Sequence, residues 1–191
     1  MFLAHRPSTR ELRKFAEDSR ALPLSYSQIG MAQDEARSFD IDEMTEHIGR
    51  ADADFERAKA ALAGWKHFEL DWVEVFPRNA PVESGTVVAV LIRHLGLWSL
   101  NGCRVVYGIG DRANGARFGF AYGTLVNHAE SGEEIFEVSR RPESADVVYR
   151  IRAVSKPRAV LARLGYPMVR LLQARFRRDS ASAMRRAIAG R

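Results

Sequence analysis

The chain holds a single cysteine, Cys103. That excludes an internal disulfide framework and any zinc site built on a cysteine cluster. No run of about 18 apolar residues occurs, so no transmembrane helix is expected. The opening Met1-Phe-Leu-Ala-His-Arg-Pro7 soon turns polar and lacks the apolar core of a signal peptide. The expectation is a soluble, cytoplasmic protein. The five histidines, His5, His47, His67, His94 and His128, show no metal-ligand spacing, and His-Glu-x-x-His is missing. There is no P-loop and no Gly-x-Ser-x-Gly nucleophile elbow. Gly108-Ile-Gly110 starts like a dinucleotide loop, but the third glycine is absent and a turn follows where a helix should. Neither a metal nor a cofactor is therefore implied.

What remains is an ordinary globular composition, 46% hydrophobic and 28% charged, which excludes disordered and collagen-like classes. A length of 191 residues suits one domain with at most an N-terminal appendage. Charge is unevenly placed. From Lys156 to Arg191 there are ten basic residues and one acid, so the first 155 residues carry −4 against a total of +5. Such a basic segment either attracts phosphates or anionic lipid, or forms one face of a helix lying against an acidic body.

Periodicity divides the chain into three. Residues 8–21 read as a helix, with Ser8 and Glu11 at capping-box spacing and an apolar stripe of Leu12, Phe15 and Ala16. Leu24 to Gly30 alternates like a short strand, and a polar acidic segment leads to a helix over 52–67 carrying Phe55, Ala58, Leu62 and Trp65. From Trp72 to Val154 the period becomes two. Strands are expected at 71–76, 85–94, 97–109, 117–126, 133–139 and 146–154, with turn residues in each break, Asp111–Gly115 among them. Short connections make them an antiparallel meander. Ser155 then reads as an N-cap and Pro157 as a first-turn proline of a long helix with Val160, Leu161, Leu164, Met168, Leu171, Leu172 and Phe176 as its apolar face. Gly165 and Pro167 should kink it, and Ser180 to Ile188 should fray. The fold class is α+β: a curved antiparallel sheet around a long C-terminal helix, with N-terminal helices. That order is similar to the helix-grip fold of the START-like superfamily, in which sheet and helix enclose an apolar cavity.

Alternation assigns the faces. Phe118, Phe120, Tyr122 and Thr124 share one side of their strand; Gly119, Ala121, Gly123 and Leu125 share the other. The small residues need either a close packing partner or a sharp bend. Glu134 lies with Phe136 and Val138 on an apolar face, where a carboxylate must find a partner or a proton. Arg104 could pair with it across the sheet. The inward groups make Arg104, Tyr107, Tyr122, His128, Glu134 and Tyr149 the candidate ligand-binding residues. His128 also precedes Glu133 and Glu134 closely enough for an acid/base pair, or serves as a turn cap. Cys103 reads as a small core residue.

Leu24-Ser-Tyr-Ser-Gln-Ile-Gly30, the helix Phe55-x-x-Ala58 to Trp65, Asn101-Gly-Cys-Arg-Val-Val-Tyr107, Gly119-Phe-Ala-Tyr-Gly-Thr-Leu125 with His128, Gly132-Glu-Glu-x-Phe136 and Ser155-Lys-Pro157 together resemble the DUF1990 (UPF0548) family. The resemblance divides the chain into an extension over 1–21, a helix-grip domain over 22–178 and a basic tail over 179–191. It implies no catalytic residue. Two functions follow from the residues themselves: binding of a small apolar or amphipathic ligand between sheet and helix, or an enzyme of hydrolase, cyclase or lyase type using His128 and Glu134. A third is binding of nucleic acid or an anionic surface by the basic helix, although aromatic interleaving is thin, with Tyr166 and Phe176 only.

Overall fold

The computed structural model describes residues 2–34, 39–110, 116–158 and 166–190. The expected turn at Asp111–Gly115 and the helix positions Val160, Leu161, Leu164 and Gly165 lie outside them. Among the described residues the elements run β1 (Phe2–Leu3), α1 (Thr9–Ser19), β2 (Asp40–Arg50), α2 (Ala51–Ala63), a 3₁₀ turn (Lys66–Phe68), β3 (Val73–Phe76), β4 (Val87–His94), β5 (Leu97–Gly110), β6 (Arg117–Thr124), β7 (Glu130–Arg140), β8 (Asp146–Pro157) and α3 (Tyr166–Ile188).

The sheet order is β2-β8-β7-β6-β5-β4-β3, antiparallel throughout, with β1 paired to the end of β5 that β6 leaves free. Strands β3 to β8 form the expected meander. The chain enters at the far edge through β2, then crosses by way of α2 and the 3₁₀ turn to start β3 at the opposite edge. The sheet curls around α2 and α3, which is the helix-grip arrangement.

Strand β2 was not expected. Its sequence, Asp-Ile-Asp-Glu-Met-Thr-Glu-His-Ile-Gly-Arg, is too acidic to read as a strand in isolation. Arginines from elsewhere make it one. Glu43 takes Arg150 and Arg152 of β8 at 2.8 and 2.7 Å, Glu46 takes Arg185 of α3 at 3.2 Å, and Asp42 takes Arg170 and Arg177. The basic face of the last helix thus lies partly against an acidic strand.

The C-terminal region also differs from expectation. Ser155 and Pro157 end β8 and do not open a helix. Pro167 falls in the first turn of α3, where it removes no needed hydrogen bond, so it does not kink an interior. Past Ser180 the helix is continuous, and Ser180, Ala181, Met184 and Ile188 are buried in the main core. The short alternating stretch after Leu24 is likewise no strand; only an isolated bridge joins Leu24 to Leu125.

At the N-terminus the reading holds. Ser8 accepts from the Glu11 amide while Glu11 reaches back to the Ser8 amide at 2.7 Å, a capping box. Leu12 is buried against Ala89, Leu91 and Leu100 on the outer face of the sheet, with Phe15 packed beside them. The inner core is aromatic at one end: Trp65, His67, Phe68, Phe120, Phe136 and Tyr149 pack with ring centroids 4.7 to 6.3 Å apart. No helix among the described residues is long and apolar enough to cross a membrane.

Candidate functional site

The other end of the interior is hollow. A cavity of about 470 Å³ lies between the concave face of the sheet and the first half of α3. Phe68, Trp72, Val73, Val90 and Ile92 form one wall and Met168, Leu172 and Phe176 the other, with Leu95 and Leu97 at the rim. Leu172 and Phe176 are only half-buried because they face this space, whereas Met184 further along the same helix is fully enclosed. A larger hollow of about 650 Å³ on the outer surface, between α1 and β3, sets Leu12, Phe76 and Leu91 among the charged side chains of Arg6, Arg13, Arg20, Glu74 and Arg78.

The cavity's ionisable groups come mainly from β6, β7, the turn between them, and α3, with His94 of β4, Ser99 and Asn101 of β5 and Ser155 of β8 adding further polar lining. Tyr122 of β6 sits directly opposite Glu134 of β7 and donates its hydroxyl to that carboxylate at 2.8 Å. Four residues earlier on β7, Glu130 accepts the side-chain amide of Gln173 at 2.7 Å. His128 Nδ1 accepts the Glu130 amide at 2.9 Å, which fixes the neutral tautomer with hydrogen on Nε2. Arg177 and Arg170 reach in from α3 and close on Asp42, Arg177 at 3.1 Å. In the wall, Trp72 donates to Asp179 at 3.0 Å and carries the Arg175 guanidinium 4.4 Å above its ring.

Burial sets the protonation states. Removal from water pushes Glu134 up to about 7, against the downward pull of the Tyr122 hydroxyl. Burial, then the nearby Asp42 charge, also pushes Glu130 up to about 7. His128 moves the other way, down to about 4, because burial disfavours its cation. The Tyr122 phenol is held well above its usual range by burial and by Glu134. At neutral pH the wall therefore offers two carboxyls balanced between their two states, a neutral imidazole and a neutral phenol.

Comparison with known proteins now adds the family. The profile described as "Domain of unknown function (DUF1990)" matches residues 25–183. A UPF0548 protein of Dictyostelium discoideum is 35% identical over 207 residues, 98% of this chain and 96% of its own. The chain belongs to the DUF1990 family. A UPF0548 protein of Deinococcus radiodurans is 33% identical over 202 residues, covering 98% of both chains. Two solved structures share the fold at 12% identity and TM-score 0.53: a hypothetical protein of Helicobacter pylori (78% of this chain, 87% of that one) and a protein of Thermus thermophilus (79% and 98%). Human STARD10 follows at TM-score 0.49 and 13% identity, over 95% of this chain and 81% of that one.

In this DUF1990 protein, three of the six candidates meet at the cavity: Tyr122, His128 and Glu134. Tyr149 is fully buried in the core, its hydroxyl 2.9 Å from Ser180 Oγ, so it ties β8 to α3 and does not line the space. Arg104 and Tyr107 are on the other face. The expected Arg104–Glu134 pair does not form: Arg104 pairs in register with Gly123, whose side points outward, and its guanidinium binds the Arg20 and Leu22 carbonyls after α1, both at 2.9 Å. His128 and Glu134 share the wall without a hydrogen bond between them; His128 is tied instead to the Glu130 amide and Glu134 to the Tyr122 hydroxyl.

Tyr107 leads to a feature the sequence hid. Its hydroxyl donates at 2.6 Å to Glu133, the neighbour of Glu134, on the convex face of the sheet. Glu133 also accepts from Tyr26 Oη at 2.9 Å and from the Gly30 and Ala32 amides at 3.0 and 3.2 Å. The stretch from Leu24 to Ala32 is thus pinned over the outside of the sheet. That explains Gly123 of β6, where a Cβ would stand 2.1 Å from Tyr26 Oη; at Gly119 a Cβ would instead meet the Phe136 carbonyl of β7 at 2.3 Å. Close packing is the cause, by a loop at one glycine and by the next strand at the other, and not by a helix. Glu130, Gln173, Asp42 and Trp72 were also missed. Only Glu130 had a signal, since it shares the inward face of its strand with Glu134.

Proposed function

We propose that this DUF1990 protein holds a small apolar or amphipathic molecule between the sheet and α3. The observation that carries the reading is the cavity itself: about 470 Å³, walled by hydrocarbon and aromatic side chains, with the carboxyls Glu130 and Glu134 and the phenol of Tyr122 among its few polar groups. A mostly apolar hollow with a few convergent polar groups is the usual form of a small-molecule site. Covering Ile92, Leu172 and Phe176 with a ligand would remove apolar surface from water at roughly 25 cal/mol per Å². Native mass spectrometry of protein purified from its own source tests the reading. Added mass that disappears on denaturation supports it; the bare polypeptide mass, with no saturable uptake of any apolar probe, removes it.

A second reading, acid/base catalysis on the same scaffold, draws support from the Tyr122–Glu134 pair. A carboxyl pushed up to about 7 beside a phenol can exchange a proton at neutral pH. His128 is a weak partner in this scheme, since it stays neutral down to about pH 4. Once a turned-over compound is found, Glu134→Gln should abolish the limb of the pH–rate profile near 7. An unchanged profile would end this reading.

A further inference from the structure

We infer that the cavity's ligand carries a protonated amine, recognised by the carboxylates of Glu134 and Glu130. This rests on the cavity reading above and narrows it to one head-group chemistry. The two side chains project from β7 onto the concave wall, and each has a neutral donor only: Tyr122 Oη for Glu134, Gln173 Nε2 for Glu130. Among the described residues neither forms an ion pair. An ionised carboxylate has about four acceptor sites, so most of each remains open toward the cavity.

The surrounding charges point the same way. From β2 comes Asp42; from α3 come Arg170 and Arg177, both closed on Asp42. Asp40 of β2 adds a further acidic influence on Glu130, opposed by Arg170, and Arg177 acts on Glu134 in the same stabilising sense for its anion. His128 from the turn and His94 from β4 are kept neutral by burial, Cys103 of β5 is held as the thiol, and Tyr122 of β6 as the phenol. Above about pH 7, where Glu130 and Glu134 join Asp42 as anions against two arginines, this polar end becomes net negative. A carboxylate head would add to that charge. A hydroxyl head would leave the two glutamates to take up protons. An ammonium brings three donors and the missing positive charge, and its alkyl chain suits the apolar remainder of the space.

The test uses one tail and three heads. Octylamine, octanol and octanoate are titrated into the full chain by calorimetry at pH 8 and again at pH 6. The inference expects octylamine to bind about tenfold or more tighter than octanol at pH 8, a gap of about 1.4 kcal/mol. The gap should narrow at pH 6, where both carboxyls, pushed up to about 7, carry protons while the amine stays charged. In Glu134→Gln, checked for a cooperative melt, the amine-to-alcohol ratio should fall toward one. Equal binding of amine and alcohol, tighter binding of octanoate, or a ratio untouched by Glu134→Gln overturns the amine and leaves the cavity reading standing. No binding by any of the three overturns both.

Discussion

Glu133 and Glu134 are neighbours on one strand, yet their surroundings are opposite. Glu133 faces outward under the Tyr26–Ala32 loop and collects two phenol hydroxyls and two backbone amides. Glu134 faces inward and has one hydroxyl. The pleat alone separates them, because successive side chains of a strand point to opposite faces. A carboxylate with its acceptor sites filled holds structure together. One left open beside a hydrocarbon hollow is costly to keep and is suited to a partner from outside. The convex face is where this chain secures its loop, and the concave face is where it keeps chemistry unsatisfied.

Substitutions should break that contrast by different amounts. The largest effect is expected for Glu133→Gln, whose amide keeps one acceptor oxygen and turns an N–H₂ toward donors. It should cost about 2 to 5 kcal/mol in urea unfolding, with faster hydrogen exchange over residues 24–32. A loss below about 1 kcal/mol would show that the outer carboxylate is not the anchor.

His67 extends the comparison to a second unsatisfied group on the inner side. It is fully buried among aromatic rings, and neither ring nitrogen has a hydrogen-bond partner among the described residues. Burial pushes it down to about 3 from an ordinary 6.5. Its folded value is depressed, so below 6.5 the unfolded chain takes up a proton that the folded one refuses, and stability falls with pH. Between pH 6.5 and 5 that amounts to about 2 kcal/mol from this residue. In His67→Phe the loss should vanish; equal slopes in the two proteins would contradict it.

The smallest effect, opposite in sign to that of Glu133, belongs to Glu134→Gln. The folded carboxyl is raised to about 7 from 4.5, so folding holds a proton that the unfolded chain releases, and wild-type stability declines as pH rises between those values. Glutamine does not titrate. The variant should match the wild type near pH 4.5 and exceed it by about 1 kcal/mol at pH 8, the figure reduced because the group is partly open to water in the cavity. A variant less stable than the wild type at pH 8 would mean that the inner carboxylate is as well satisfied as the outer one.

Much of this architecture was legible in the residues. Period two located the six meander strands, and the capping box at Ser8 and Glu11 located α1, because both signals are local. Alternation correctly put Tyr122 and Glu134 on one face. What escaped depended on contacts distant in sequence. Strand β2 is acidic and is stabilised by arginines more than 100 positions away, such as Arg150, Arg152 and Arg170. The role of Glu133 depends on amides of Gly30 and Ala32, which carry no sequence signal at all. Ser155 and Pro157 imitate a helix start, but pairing with Gly132 and Glu130 keeps them in a strand. The pairing of Arg104 with Glu134 fails because Arg104 falls opposite Gly123 on the outward face while Glu134 follows Tyr122 inward, a register that neither strand shows alone; the bulge between Val105 and Tyr107 then turns Tyr107 outward as well.

Ala153 lines the hollow opposite Glu134 and points into it, which makes it the place to ask whether the space is used. Calorimetric titration of octanol into the wild type and Ala153→Phe is the direct measurement. Saturable uptake near one molecule per chain in the wild type, lost in a variant that melts at or above the wild-type temperature, is the predicted result. Uptake unaffected by the phenyl ring, or a wild type that takes up nothing, would contradict it.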